Sequence, residues 1–148
     1  LICPYQTSQQ SISIYLPPSD NWYFYPTSEL MKKNDRHFEM QIKKEEIGIF
    51  VKAGSIIPQK TGYSISSLAG IASPFMVEIF ISPKNKEARG FFYMDDGETT
   101  SNVEMKEYSY LEFVFERNLE LKVVYFHNNF EMGKGLVLNK IQIVGLKD

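Results

Sequence analysis

Apolar residues in this chain recur at every second position in short runs, and the runs are broken by proline, glycine and Asx-rich turns. Residues 11–16 alternate, with Ile12, Ile14 and Leu16 on one face. Pro17 and Pro18 end that strand, because neither can donate a ladder hydrogen bond. Ser19-Asp20-Asn21 is turn chemistry, and Trp22-Tyr23-Phe24-Tyr25 reads as a short aromatic strand stopped by Pro26. Residues 28–34 have room for one helical turn before Asn34-Asp35 loops, and Phe38, Met40 and Ile42 alternate again. The densest apolar segment, 47–58, reads as two strand pieces joined at Ala53-Gly54. Gly54 would supply a positive φ or a close backbone approach, and Pro58 is expected to end the second piece.

The second half repeats the pattern. Residues 59–74 turn small and polar, with Gly62, Gly70 and Pro74, and form the expected linker. Phe75, Val77, Ile79 and Ile81 then alternate against Met76, Glu78 and Phe80. A turn at 83–86 leads into a strand over 89–94, and Asp95-Asp96-Gly97-Glu98 is a hairpin-type turn signal. Residues 108–117 and 119–127 are two long strands meeting near Asn118. Leu111, Phe113 and Phe115 line one face of the first, and Leu121, Val123 and Tyr125 one face of the second. A stretch with Gly133 and Gly135 precedes a last strand over 136–145. Many short strands without a helical period predict an all-β chain of two small antiparallel β-sandwich-type domains. The expected division is 1–60, a linker at 61–73, and 74–148, the second domain being incomplete.

Composition narrows the function classes. The 148 residues are 43% hydrophobic, 14% aromatic and 23% charged, which describes a folded chain rather than a disordered one. Net charge is −2, and the lysine pairs Lys32-Lys33 and Lys43-Lys44 are offset by Asp35 and by Glu45-Glu46, so no nucleic acid partner is expected. No run approaches the roughly 20 apolar residues of a membrane span. Cys3 is the single cysteine, which leaves no internal disulfide and no cysteine-based metal site. The chain opens at Leu1 without an initiator methionine and reads as a piece of something longer.

Three blocks resemble glycoside hydrolase family 31, the α-glucosidases and α-xylosidases. The first is Tyr15-Leu16-Pro17-Pro18 followed by Trp22-Tyr23. The second is Ile47-Gly48-Ile49-Phe50-Val51-Lys52-Ala53-Gly54-Ser55-Ile56-Ile57-Pro58. The third is Gly90-Phe91-Phe92-Tyr93-Met94-Asp95-Asp96-Gly97-Glu98. Their order and spacing carry the likeness. Glu87-Ala88-Arg89-Gly90 and residues 140–146 resemble the lysosomal acid α-glucosidase and sucrase-isomaltase branch. The resemblance places residues 1–60 in a proximal and 74–148 in a distal C-terminal β-domain, both following a (β/α)8 barrel. It implies that the barrel is the partner, that no cofactor is needed, and that the parent hydrolyses terminal α-linked glucose in a lysosomal, secretory or extracellular setting. Where the family usually has an acidic residue after the Trp-Tyr pair, this chain has Phe24. The distal domain of the family also runs past the Val-Gly-Leu strand.

The chemistry points away from catalysis within these residues. A retaining glycosidase needs two carboxyl groups facing each other at about 5–5.5 Å. The resemblance places both on the barrel, so no catalytic residue is assigned here. Asp95 and Asp96 are adjacent on a strand end and point apart; they read as turn residues with Gly97, and Glu45-Glu46 as a solvated strand entry. His37 and His127 lie far apart and lack neighbours at ligand spacing. Gly133-Lys134-Gly135 lacks the spacing of a phosphate loop. The aromatic run at 22–25 is the cluster able to make weak contact with sugar, but the simpler reading is that its rings fill a core or an interface. A scaffold, with Trp22, Tyr23, Gly54, Pro58, Asp95, Asp96 and Gly97 as structural motif residues, is therefore the expected role. The alternative is a free-standing carbohydrate-binding β-sandwich module.

Overall fold

The computed structural model describes residues 1–4, 11–18, 20–31, 37–41, 47–62, 70–71, 73–131 and 135–146. Strand follows strand: β1 Ile2–Cys3, β2 Ser11–Tyr15, β3 Trp22–Phe24, β4 Glu29–Leu30, β5 His37–Gln41, β6 Gly48–Lys52, β7 Ser55–Lys60, β8 Phe75–Phe80, β9 Ala88–Met94, β10 Ser109–Phe115, β11 Leu121–Asn128 and β12 Leu138–Val144. A one-turn helix, α1, occupies Asn102–Met105. The all-β expectation holds.

A first unit has two layers. One is the sheet β1-β6-β3-β4 and the other the antiparallel pair β2-β5. Ile12 pairs with Met40 and Ile14 with Phe38, so the alternation of both strands aims at one core. Phe50, Trp22 and Phe24 meet them there from the sheet, and Cys3 packs at the margin. Phe24 lies against Phe50 with ring centroids 5.3 Å apart, which is why an apolar ring serves at that position. Tyr23, between Trp22 and Phe24, points to the opposite face and is 2% exposed. The run has no polar member because β3 is covered on both faces.

The other strands form one sheet, β11-β10-β9-β7-β8-β12, folded on itself. β7 and β9 are joined only at Ser55 and Arg89. Beyond that point β9 crosses close over β7, and a Cβ built on Gly90 would lie 2.0 Å from the Ile56 carbonyl oxygen. Two layers result, β7-β8-β12 and β9-β10-β11. Between them lie Ile56, Val77, Ile79, Leu111, Phe113 and Phe115. Phe75 bridges the layers, 5.1 Å from Phe92 and 6.2 Å from Phe113.

Several expectations need correction. The sheets are not purely antiparallel, because β12 pairs parallel with β8 and β7 with β9. The last strand returns across the sandwich instead of closing a hairpin. Of residues 28–34, Glu29 and Leu30 are strand, since the chain reverses over 25–28 with Ser28 at φ 59 and brings Leu30 opposite Tyr23; residues 32–34 lie outside the described residues. Pro58 does not end its strand. It pairs with Val77 on β8, and among the described residues β7 has no partner on its other side at that level, so the missing N–H breaks no ladder bond there. Lys32, Lys33, Asp35, Lys43, Lys44, Glu45, Glu46, Gly133 and Lys134 lie outside the described residues.

Within the expected linker, 63–69 and 72 lie outside the described residues, while Gly70-Ile71 is helical. Gln59 and Lys60 belong to β7. Strand pairing changes sheet at Ala53-Gly54, where Gly54 has φ 88.

Candidate functional site

The acidic run ends β9. A connection from 95 to 108 replaces the expected hairpin turn and carries α1. The Asp95 carboxylate accepts the Gly97 N–H at 2.9 Å. Asp96 accepts the N–H groups of Glu98 and Thr99 at 3.1 and 2.9 Å, the Thr99 hydroxyl at 2.5 Å, and the Asn102 amide at 2.6 Å. Gly97 takes φ 71 so that the chain can wrap round this carboxylate. These donors, the Thr99 hydroxyl first, hold the Asp96 carboxyl well below the usual carboxylate range. A carboxylate so held is a poor proton donor, and both side chains are engaged in shaping their own loop.

His37 and His127 are structural neighbours of tyrosines. His37 packs on Tyr15 at 4.6 Å. His127 packs on Tyr108 at 4.3 Å and bonds the Lys106 carbonyl oxygen through Nε2 at 2.9 Å. Among the described residues no three His, Cys, Asp or Glu side chains gather as a metal group. A cavity of about 210 Å³ opens at the end of the sandwich, with Phe75, Phe92, Phe130 and Leu136 in its wall. Its charged residues are Lys60, whose ammonium donates to the Gly70 carbonyl at 2.6 Å, and Asp95. One carboxylate does not make a glycosidase pair.

The aromatic run reaches the seam between the two units. Tyr23 donates its hydroxyl to the Ile81 carbonyl at 2.9 Å and packs on Phe80, Val51 and Val144. Gly145, at φ 90, lies under that ring, and a Cβ there would come 2.1 Å from the Tyr23 hydroxyl oxygen. Beside it, Tyr25 donates to Glu78 Oε2 at 2.7 Å, and Gln59 Nε2 donates to both Tyr25 and Glu78. Glu78 is buried, so these donors supply the partners that an interior carboxylate requires. Burial raises the hydroxyl pKa of Tyr23, and burial together with Glu78 raises that of Tyr25. Sequence reasoning missed Gln59, Glu78, Gly90 and Gly145. Glu78 did leave a signal, as a carboxylate alone in an apolar run. The others are ordinary residues whose roles depend on what crosses them.

These features define an accessory β region: two layered units locked face to face, with Asp95 and Asp96 holding their own loop and Glu78 bonded across the seam. Residues 1–57 match the family model described as the glycosyl hydrolase family 31 C-terminal domain. Intestinal sucrase-isomaltase of Suncus murinus is 30% identical over 135 residues, 91% of this chain and 7% of that protein. A probable glucan 1,3-alpha-glucosidase of Oryza sativa subsp. japonica is 28% identical over 114 residues, 77% of this chain and 12% of that protein. Among solved structures, the glucosidase II alpha subunit superposes with a TM-score of 0.80 over 96% of this chain and 16% of its own, at 19% identity, a likeness of fold. The chain thus spans less than a tenth of the sucrase-isomaltase that it matches. It belongs to glycoside hydrolase family 31, and it corresponds to a non-catalytic C-terminal β region of α-glucosidase-type enzymes.

Proposed function

We propose that this chain is the structural C-terminal part of an enzyme that hydrolyses terminal α-linked glucose, seated on a (β/α)8 barrel that supplies both catalytic carboxylates. The observation that carries this reading is an apolar rim on the first unit. Ile2, on the edge strand β1, is 68% exposed, and Leu1 and Ile47 beside it are exposed as well. Ile2 pairs with Ile49 and Cys3 with Gly48, so alternation puts Ile2 and Ile47 on one face of the β1-β6 pair, while Leu1, bonded to Phe50, falls on the other. Covering such a rim returns about 25 cal/mol per Å² of apolar surface. The seam then transmits the position of the first unit to the second. The same proposal divides the chain at the Ala53-Gly54 turn rather than within 61–73, because Ser55–Lys60 pairs with β8.

Two measurements test it. The chain alone should release no glucose from maltose; turnover that disappears in Asp96→Asn would overturn the reading. In the full hydrolase, Ile2→Asp with Ile47→Asp should lower the melting temperature while leaving kcat per titrated active site unchanged. An unchanged melting temperature would remove the rim from the barrel interface.

A further inference from the structure

Among the described residues nothing covers the outer face of β9-β10-β11. Phe91 and Tyr93 point outward from β9, Tyr110 and Glu112 from β10, and Val124 from β11. Between Tyr110 and Leu111 the β10-β11 register slips: Tyr125 opposes Leu111, whereas His127 opposes Tyr110. The residue passed over, Phe126, turns onto the outer face against Phe91 and Tyr110, as a bulge re-aims a side chain.

Three rings then meet in a triangle. Tyr110 is 5.7 Å from Phe91 at 20° between planes, and 5.4 Å from Phe126 at 31°. Phe91 and Phe126 are themselves 6.5 Å apart at 31°. In a stacked column the outer two would stand about twice as far apart as neighbouring rings do. The short third side means that Phe91 and Phe126 lie side by side, backed by Tyr110. They are 55% and 58% exposed. Next to them, Tyr93 stacks on Tyr108 at 5.4 Å and Tyr108 on His127, which places phenol hydroxyls along one border.

Charge does not favour an ionic partner. Arg89 is paired with Glu112 at 3.0 Å and Lys122 with Glu116 at 2.6 Å. A face whose cations are already paired offers little to nucleic acid or to an anionic membrane. A flat platform also differs from the enclosed, well-packed pockets that anchor protein partners. It fits a neutral ligand that has C–H faces to lay on aromatic rings and hydroxyls to bond at their border.

We propose that this face is a surface site for a neutral α-glucan chain. Sugar rings stack on Phe91 and Phe126, where polarised C–H groups meet the negative ring faces. At the border the Tyr108 phenol, and Tyr93 together with the Asp95 carboxylate that it bonds, hydrogen-bond the sugar hydroxyls. The platform stands on geometry alone, while the choice of glucan rests on the proposed function above.

Native electrophoresis of the 148-residue chain through gels holding soluble starch, dextran or no polysaccharide tests the site. Migration should be retarded by at least one glucan, and titration with maltoheptaose or isomaltotriose should shift resonances of Phe91 and Phe126. The double variant Phe91→Ala with Phe126→Ala should weaken binding at least tenfold with an unchanged melting temperature. Phe91→Tyr should retain it. No retardation in either gel, or equal retardation of the double variant, would overturn the site. So would concentration-dependent dimerisation removed by the same variant without glucan binding, which would assign the face to a second copy. None of these results bears on the rim at Ile2, whose test is read from the stability of the full hydrolase.

Discussion

The two layers of the second unit are built from the same kind of strand and end in opposite circumstances. In β7-β8-β12 the outward residues, among them Ile57, Glu78, Phe80 and Val144, meet Tyr23 and Tyr25 of the first unit. In β9-β10-β11 the outward residues Phe91, Tyr93, Val124 and Phe126 meet solvent. The covered layer contains a buried carboxylate that is matched by Gln59 of the same layer and by Tyr25 of the first unit; the bare layer keeps its ion pairs exposed. A polar group placed under cover must be matched or it costs stability, whereas one at the surface is matched by water. The difference between the layers therefore records where the molecule already has a partner.

The joint between the layers is the place to break this comparison. Gly90→Val would force a side chain into the Ile56 backbone, which cannot yield as a flexible side-chain tip could. We expect a loss of at least about 3 kcal/mol, because overpacking and a displaced strand add together. Urea denaturation gives the value. A midpoint close to that of the unaltered chain would mean that β9 does not cross β7 as described, and that the two layers are not one folded sheet.

The covered layer is sharpened by a double-mutant cycle across the seam. Tyr23→Phe removes the donor to Ile81 O and should cost about 1 kcal/mol. Gly145→Ala combines positive φ with a collision at the Tyr23 hydroxyl and should cost about 2–3 kcal/mol. With both changes the collision with the hydroxyl is relieved, while the tight approach to the ring and to Ile81 and the backbone strain remain, so the total should fall short of the sum of the two. Strict additivity would show that Gly145 and Tyr23 do not touch.

The all-β class and the strand faces were legible because period-two alternation is written locally. Leu111, Phe113 and Phe115 occupy the core that their spacing predicted. Leu121, Val123 and Tyr125 also share the predicted face, yet Val123 and Tyr125 stay 43% and 55% exposed. Alternation says which residues face together and not whether another layer extends over them. The same limit hid the seam: Gln59 read as linker polarity, yet it donates to Glu78, its diagonal neighbour across β7-β8. Asp95-Asp96-Gly97 does begin the reversal from β9 to its antiparallel neighbour β10, with Gly97 at positive φ, but the reversal is a long loop and not a tight turn. An Asp-Gly pair tolerates many reversals, and here Asn102, six residues on, gives Asp96 a more distant donor that stabilises a longer loop.

The smallest effect separates the layers by pH. On the covered side, Tyr23 and Tyr25 have raised hydroxyl pKa values. Their contribution is complete below the ordinary tyrosine pKa of about 10 and is lost as pH climbs through the raised values. On the bare side, Asp96 has a lowered pKa, owed first to the Thr99 hydroxyl. Its contribution is complete above the ordinary aspartate pKa of about 4 and is lost as pH falls towards the folded value. Asp96→Asn keeps one acceptor oxygen and removes the titration. The variant should melt below the unaltered chain at pH 7, and the gap should close as pH falls from 5 to 2, while the two profiles run parallel between pH 8 and 11. Tyr25→Phe should show the mirror image, with a gap at pH 7 that narrows only above pH 10. Melting curves across pH for the three proteins decide it. A gap for Asp96→Asn that stays constant down to pH 2 would mean that the loop does not depend on the ionised carboxylate, and the acid side of the comparison would fail.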